Sequence, residues 1–300
     1  AGGGLADLDI TQEEVEATGL VDTVYGKLAQ YLAASHEVIP FPYDWRKSIR
    51  EEAQRLADFE RLWRLELAPL DRANTTRGGV SAVGVLVLAA HGREGRRLVV
   101  KRQRNHQTRT WRHPLKGIPT ARKEFDNIRR FERCGLASAA PVFFGQRQDH
   151  RGTRAILITE FLEGYQSLEN LLAQWTRHPN PRETAKDAIL RETADLIARM
   201  HRAGFRHNCL YPKHLFVNTA DVHPDIRLID LEKAARTFRG DRCMTRDLGA
   251  FFRHSPHWSA ADQARFLVDY FGSAHMTPRI ERTWRRILRG MARKRRRDSP

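Results

Sequence analysis

Lys101 closes an apolar run, Leu98-Val99-Val100-Lys101, and a lysine at the end of a core strand needs a fixed anion to meet its charge. The next helical segment, Arg122-Lys123-Glu124-Phe125-Asp126-Asn127-Ile128, offers Glu124, which lies in line with Ile128 on one helix face. A lysine held by a carboxylate, a cradle for phosphate oxygens, and ligands for Mg²⁺ are what phosphoryl transfer from ATP requires. Gly78, Gly79 and Ser81, within Arg77-Gly78-Gly79-Val80-Ser81-Ala82-Val83-Gly84, are the candidate cradle, because glycines let backbone N–H groups approach phosphate closely. That stretch matches neither G-x-G-x-x-G nor a Walker A loop, and it also reads as an ordinary hairpin. Taken singly, Lys101 and Glu124 also read as a strand-end surface lysine and a solvated helix carboxylate.

The strongest signal lies further on. Phe205-Arg206-His207-Asn208-Cys209-Leu210-Tyr211-Pro212-Lys213-His214-Leu215-Phe216-Val217 is followed by Arg227-Leu228-Ile229-Asp230-Leu231-Glu232-Lys233. The layout is a helix, a His-containing loop, a short strand, and a return strand ending in Asp230.

These residues need a scaffold. Apolar, β-rich runs predict strands at Val83–Ala90 and Leu98–Val100, split by the polar turn His91–Gly95. A helix is predicted near Thr120–Cys134, a strand pair near Val142–Gln146 and Arg154–Glu160, and helices near Ser167–Gln174 and Arg182–Ala203. Short strands at Leu215–Val217 and Ile226–Ile229 and helices over most of Thr245–Leu288 complete the domain. Strands first and helices second predict an α+β fold.

The strand ending in Lys101 is similar to the V-A-I-K strand of protein kinases. With Val99–Arg104, Trp111–Pro114 and Arg151–Gly164, the joint order resembles the lipopolysaccharide kinase (Kdo/WaaP) family, InaA-like branch, over about residues 60–272. The resemblance implies a two-lobed protein-kinase-like fold: a small β-rich N-lobe at about 61–162, a larger helical C-lobe at about 163–283, and a basic C-terminal helix at 284–300. It implies ATP and Mg²⁺ as cofactors, with Lys101 on the phosphates, Glu124 as its helix partner and Asp230 as principal metal ligand. It also places the interlobe hinge at Ile158–Leu162, where Glu160 and Leu162 would meet adenine. His214 falls where many kinases use a metal-binding Asn. Since Mg²⁺ prefers oxygen, His214 reads either as a ligand or as a hydrogen-bonding residue that orients the loop.

One departure matters. Cys209 occupies the place of the catalytic aspartate, and no Asp or Glu occurs between Asp195 and Asp221. His207 is the candidate substitute. Losing a general base costs roughly 10²–10⁴-fold, yet phosphoryl transfer leans mostly on positioning and electrostatics. Two functions follow: a phosphotransferase acting on a sugar hydroxyl of lipopolysaccharide core or a related envelope glycan, or a pseudokinase that binds nucleotide or scaffolds.

The 300 residues carry a formal net charge of +16, which favours polyanionic partners. The charge is uneven, because residues 1–60 hold 12 acidic and 5 basic side chains. Within them, Val38-Ile39-Pro40-Phe41-Pro42-Tyr43-Asp44-Trp45-Arg46 resembles a fragment of the lecithin:cholesterol acyltransferase-like α/β hydrolases. With no G-x-S-x-G anywhere in the chain, residues 1–60 read as a non-catalytic helix–strand–helix appendage. The three cysteines, Cys134, Cys209 and Cys243, lack the spacing of a disulfide framework or a zinc site. No apolar run is long enough to span a membrane, and no signal peptide is read at the start. The expectation is a cytoplasmic chain able to touch the inner face of the membrane. Basic residues between Lys101 and Lys123 suggest an acidic glycolipid partner, with nucleic acid disfavoured. The basic helix Trp284–Arg297, striped with Ile287, Leu288 and Met291, could lie on anionic lipid, bind RNA nonspecifically or pack on the domain.

Overall fold

The computed structural model describes residues 58–298 apart from 76–77, 91–92, 111–112, 178–182, 222, 238–239 and 257. The predicted appendage up to residue 57, with Tyr43, Asp44 and Trp45, lies outside the described residues, as does Trp111.

Four long strands form the first half: β1 (Val80–Ala90), β2 (Arg93–Arg104), β3 (Pro141–Asp149) and β4 (Gly152–Glu160). They pair antiparallel in the order β1-β2-β4-β3, and the short strand Ala68–Pro69 adds to the free edge of β1. Because side chains alternate across a sheet, register decides what Lys101 meets. Leu98 and Val100 on β2 join Ile156 and Ile158 on β4 in a buried cluster closed by Phe59, in the helical residues 58–64. Lys101, opposite Val83 and Leu157, turns to the other face. Phe59 is 2% exposed. Beside it Glu60 receives both terminal nitrogens of Arg154, at 3.0 and 2.6 Å, which fixes residues 58–64 on the sheet.

The face carrying Lys101 is covered by α1 (Thr120–Arg133). Its buried positions Ala121, Glu124, Ile128 and Phe131 recur at three- and four-residue spacing, so one stripe faces inward. Its N-cap position is Pro119, with no side-chain cap. Gln103 of β2 supplies one from outside: its Oε1 accepts from Ala121 N at 2.7 Å, while its Nε2 donates to Ser81 Oγ at 3.2 Å. One buried amide thereby joins β1, β2 and α1.

The second half holds α2 (Leu168–Arg177), α3 (Glu183–Arg202), α4 (Gly240–Arg253), α5 (Ala260–Tyr270) and α6 (Pro278–Asp298), with the antiparallel pair β5 (Leu215–Asn218) and β6 (Asp225–Leu228). A continuous core runs from Ala121 and Leu157 to Leu196, Leu215, Phe251 and Phe266. The predicted α+β order, sheet then helices, is the order found. Strands β1, β2, β3 and β5 extend beyond their apolar runs, because ladder hydrogen bonding tolerates polar residues on an exposed face.

Most apolar residues of α6 turn inward, while Leu288 stays exposed. Ile280, Ile287 and Met291 are buried in the core and Trp284 packs against it, which leaves Arg285, Arg286, Arg289 and Arg293 exposed. Of the readings of this helix, packing on the domain takes Ile287 and Met291. Among the described residues, no helix is long and apolar enough to cross a membrane.

The loop between α3 and β5 is anchored from below. Asp247 on α4, 2% exposed, accepts from His207 N at 2.6 Å and Asn208 N at 2.9 Å. Asn208 takes a left-handed conformation, φ 65°, and its Nδ2 donates to Lys233 O at 2.7 Å. His207 is fully buried and its Nε2 donates to Ile229 O at 3.1 Å.

Truncating Phe59 to Ala should cost about 3–5 kcal/mol, read as a lowered urea midpoint with an unchanged slope. Burial, opposed by Asp247, pushes the His207 imidazole below its ordinary range. Burial, opposed by Asp230, does the same to His214. The unfolded chain therefore binds more protons than the folded one as pH falls through about 6.5. Melting temperature should drop from pH 7.5 to 5.5, and His207→Gln should flatten that dependence; a parallel slope in the variant would remove His207 as a source.

Candidate active site

Lys101, Glu124 and Asp230, far apart in the chain, converge in one cluster. Lys101 Nζ lies 2.5 Å from Glu124 Oε2 and 4.0 Å from Asp230 Oδ1. Burial opposes the lysine's charge, but the carboxylates of Glu124 and Asp230 outweigh it and hold the ammonium above its ordinary range. Glu124 is pushed up by burial, against the pull of Lys101. Glu232 joins them: one carboxylate oxygen from each of Glu124, Asp230 and Glu232 falls within 4.8 Å of the others.

The backbone aims Asp230. It adopts φ 57°, ψ 54°, a left-handed conformation costing a non-glycine residue roughly 1–2 kcal/mol. Neighbours impose it. Ile229 N donates to His214 O at 3.0 Å, and Asn127 Nδ2 on α1 donates to Leu231 O and Ala234 O at 2.8 and 2.9 Å. The helix that carries Glu124 thus also grips the turn that follows Asp230.

His214 completes the wall. Its Nδ1 lies 2.8 Å from Cys209 O, and because a carbonyl only accepts, Nδ1 carries the proton. In the neutral ring Nε2 then presents a lone pair, 3.5 Å from Asp230 Oδ2. Two acceptors facing one another suit a cation between them, so the residues present fit a divalent ion.

The remaining expected site residues fall elsewhere. His207, expected as a substitute base, is enclosed beneath the loop with its Nε2 on Ile229 O, so it is corrected to a support. Ser81 is buried and bonded to Gln103. Gly79 is required by close packing: a Cβ there would lie 2.3 Å from Asn105 C and 2.4 Å from Arg104 O. Gly78, φ 72°, has open space at its Cβ position and remains the glycine free to face a ligand. Glu160 is spent on structure, its Oε1 receiving Ala140 N at 2.9 Å and Arg227 Nη1 at 2.6 Å, and its own N–H donating to Ala140 O. Leu162 is buried just beyond β4, where sheet passes to helices. Cys209 is buried, 7% exposed, and its carbonyl accepts from His214 Nδ1 at 2.8 Å.

Sequence reasoning missed Asp247, Glu232 and Asn127. Asp247 had a signal, a carboxylate on the same helical face as Cys243, Met244, Leu248 and Phe251.

Comparison with known proteins places the chain in a family. The model of the lipopolysaccharide kinase (Kdo/WaaP) family matches residues 60–270. Protein InaA of Escherichia coli K12 is 30% identical over 215 residues, 71% of this chain and 95% of InaA. Lipopolysaccharide core heptose(I) kinase WaaP of Pseudomonas aeruginosa is 32% identical over 159 residues, 50% of this chain and 59% of that protein. The chain thus spans about three fifths of that WaaP kinase. A solved structure of WaaP in complex with acyl carrier protein matches with a TM-score of 0.60 at 25% identity, covering 81% of this chain and 93% of WaaP. Its two-lobed, protein-kinase-like architecture is the fold expected from the sequence. With the four-stranded sheet, α1 to α5 and Lys101, Glu124 and Asp230 all inside the matched region, the chain belongs to the lipopolysaccharide kinase (Kdo/WaaP) family.

Proposed function

We propose that this chain is an ATP- and divalent-metal-dependent phosphotransferase acting on a sugar hydroxyl of lipopolysaccharide core or a related envelope glycan. The observation that carries this is the meeting of Lys101, Glu124 and Asp230. Lys101, kept charged, contacts the nucleotide phosphates, and Glu124 fixes its position. Asp230 and His214 hold the metal, which supplies neutralising charge to the transferring phosphate. Gly78 faces the phosphates, and the backbone at Leu162, rather than the bonded N–H of Glu160, meets adenine.

No carboxylate stands at the acceptor side. Cys209, buried in the loop before β5, leaves transfer to positioning and charge, which suits a loose transition state. The burial of Cys209 also favours a second reading, a pseudokinase that binds nucleotide without transferring phosphate.

The +16 charge and the exposed arginines of α6 fit an acidic partner, either an acyl carrier protein of the kind bound by WaaP or the anionic inner face of the membrane. With Ile287 and Met291 of the stripe buried, that attachment is chiefly electrostatic and weakens with salt.

In a melting assay, ATP with metal should stabilise the chain, since a ligand of the folded state alone raises its apparent stability. Asp230→Asn should abolish the shift. Lys101→Met should weaken ATP binding by about tenfold or more, the worth of one charge-assisted hydrogen bond; unchanged binding in both variants would remove the site. ADP release driven by core oligosaccharide separates the two readings: Cys209→Asp should raise the rate in a transferase, and absence of any release would leave the pseudokinase.

A further inference from the structure

A row of rings leads from Asp230 to the surface. His207 stacks on His214 with centroids 5.8 Å apart, Tyr211 lies 5.3 Å from His214, and His254 lies 4.1 Å from Tyr211. Exposure rises along the row: His207 and His214 are buried, Tyr211 is half-buried and His254 is exposed. Its outer members belong to the loop before β5 and the loop after α4, both in the helical half. The nucleotide contacts proposed above, Lys101 and Gly78, come from the sheet half. The row therefore approaches Asp230 from the half left for an acceptor.

The outer end of the row has the chemistry of a sugar seat. Beside His254 is a cavity of about 110 Å³, walled by Leu172 and Ala173 of α2 and by Pro256 and Trp258 of the loop after α4. It is well below the roughly 300 Å³ that a drug-sized ligand needs, so it takes one edge of a sugar rather than a second nucleotide. A pyranose ring presents an apolar C–H face that aromatic and aliphatic side chains bury favourably, and Glu169 on the cavity wall accepts from hydroxyls. Burial, Arg253 and Lys213 hold the His254 imidazole below its ordinary range against the pull of Glu169, so at neutral pH the ring is an uncharged face. Lys213, in the turn Pro212–His214, is exposed, and its ammonium has no hydrogen bond or ion pair among the described residues. Its charge acts on His214 and His254 alike, which puts a cation along the row. We propose that Tyr211, His254 and the adjoining cavity seat the acceptor sugar, with Lys213 pairing to an anionic substituent of that sugar or its neighbour, a carboxylate or a phosphate. This deepens the phosphotransferase reading above and rests on it.

The test uses the full chain and deacylated lipopolysaccharide core oligosaccharide, with binding measured by titration calorimetry beside a non-hydrolysable ATP analogue and metal. Lys213→Ala should raise the dissociation constant about tenfold or more, the worth of one charge-assisted hydrogen bond, and Lys213→Arg should retain wild-type affinity. His254→Ala should weaken binding several-fold, while His254→Phe, which keeps a ring, should not. All four variants should keep the ATP-induced melting shift, because none of them removes a nucleotide contact. Oligosaccharide stripped of phosphate and oligosaccharide with reduced carboxyl groups, used separately, identify the anion: its loss should weaken binding to the wild type but not to Lys213→Ala. If neither treatment weakens wild-type binding, the pairing with Lys213 is overturned. Oligosaccharide binding that is absent, or indifferent to Lys213→Ala and His254→Ala, while ATP still stabilises the chain, would overturn the acceptor seat and leave the nucleotide site standing. No stabilisation by ATP with metal would instead overturn the nucleotide site on which the seat rests.

Discussion

The buried ion pair of Lys101 and Glu124 is the constraint around which the cleft is organised. It ties β2 to α1 at a point where neither side chain can be left alone: removing one partner would strand the other charge, at about 3–5 kcal/mol. The pair is also unbalanced. Glu124, Asp230 and Glu232 set three carboxylates against the one ammonium of Lys101, an excess of two negative charges that a divalent ion neutralises. In the proposed function, the nucleotide phosphates accompanying such an ion would meet Lys101. Structure and binding chemistry here rest on the same electrostatic balance.

That balance depends on placing Asp230 to within a fraction of an ångström, and the helical half of the molecule does so from two directions. Asn127 pins the turn after Asp230 to α1, so Glu124 and Asp230 move together. Asp247 and His207 pin the loop before β5 to α4 and to Ile229, so His214 is fixed relative to the same aspartate. The left-handed backbone at both Asn208 and Asp230 persists because these bonds over-determine it. Cys209 sits buried inside this frame, and a frame that would position a carboxylate positions a thiol instead.

Most of the fold was legible because periodicity and punctuation report on the local chain. The strand ending in Lys101, the helix carrying Glu124 and the return strand ending in Asp230 all stand within a few residues of their expected bounds. What sequence could not show was which polar side chains are spent inside the protein. Asp247, Asn127 and Gln103 bond to backbone groups distant in sequence, and backbone has no sequence signature. The same blindness made Ser81, Glu160 and His207 look like site residues, when each is taken up by a neighbour. Gly79 read as a phosphate-facing glycine, but the approach it permits is that of Arg104 and Asn105. Much of the basic stretch after Lys101 likewise works internally: Arg102 donates to Leu65 O at 2.5 Å and His106 lies buried, bonded to Thr120.

An acyl phosphate of ATP, which delivers its acyl group to an amine lying beside the nucleotide phosphates, tests the shared cleft most directly. With metal present, peptide mass spectrometry should find the label on Lys101, and excess ATP should prevent it. Labelling spread over other lysines and indifferent to ATP would contradict a nucleotide site built on Lys101, Glu124 and Asp230.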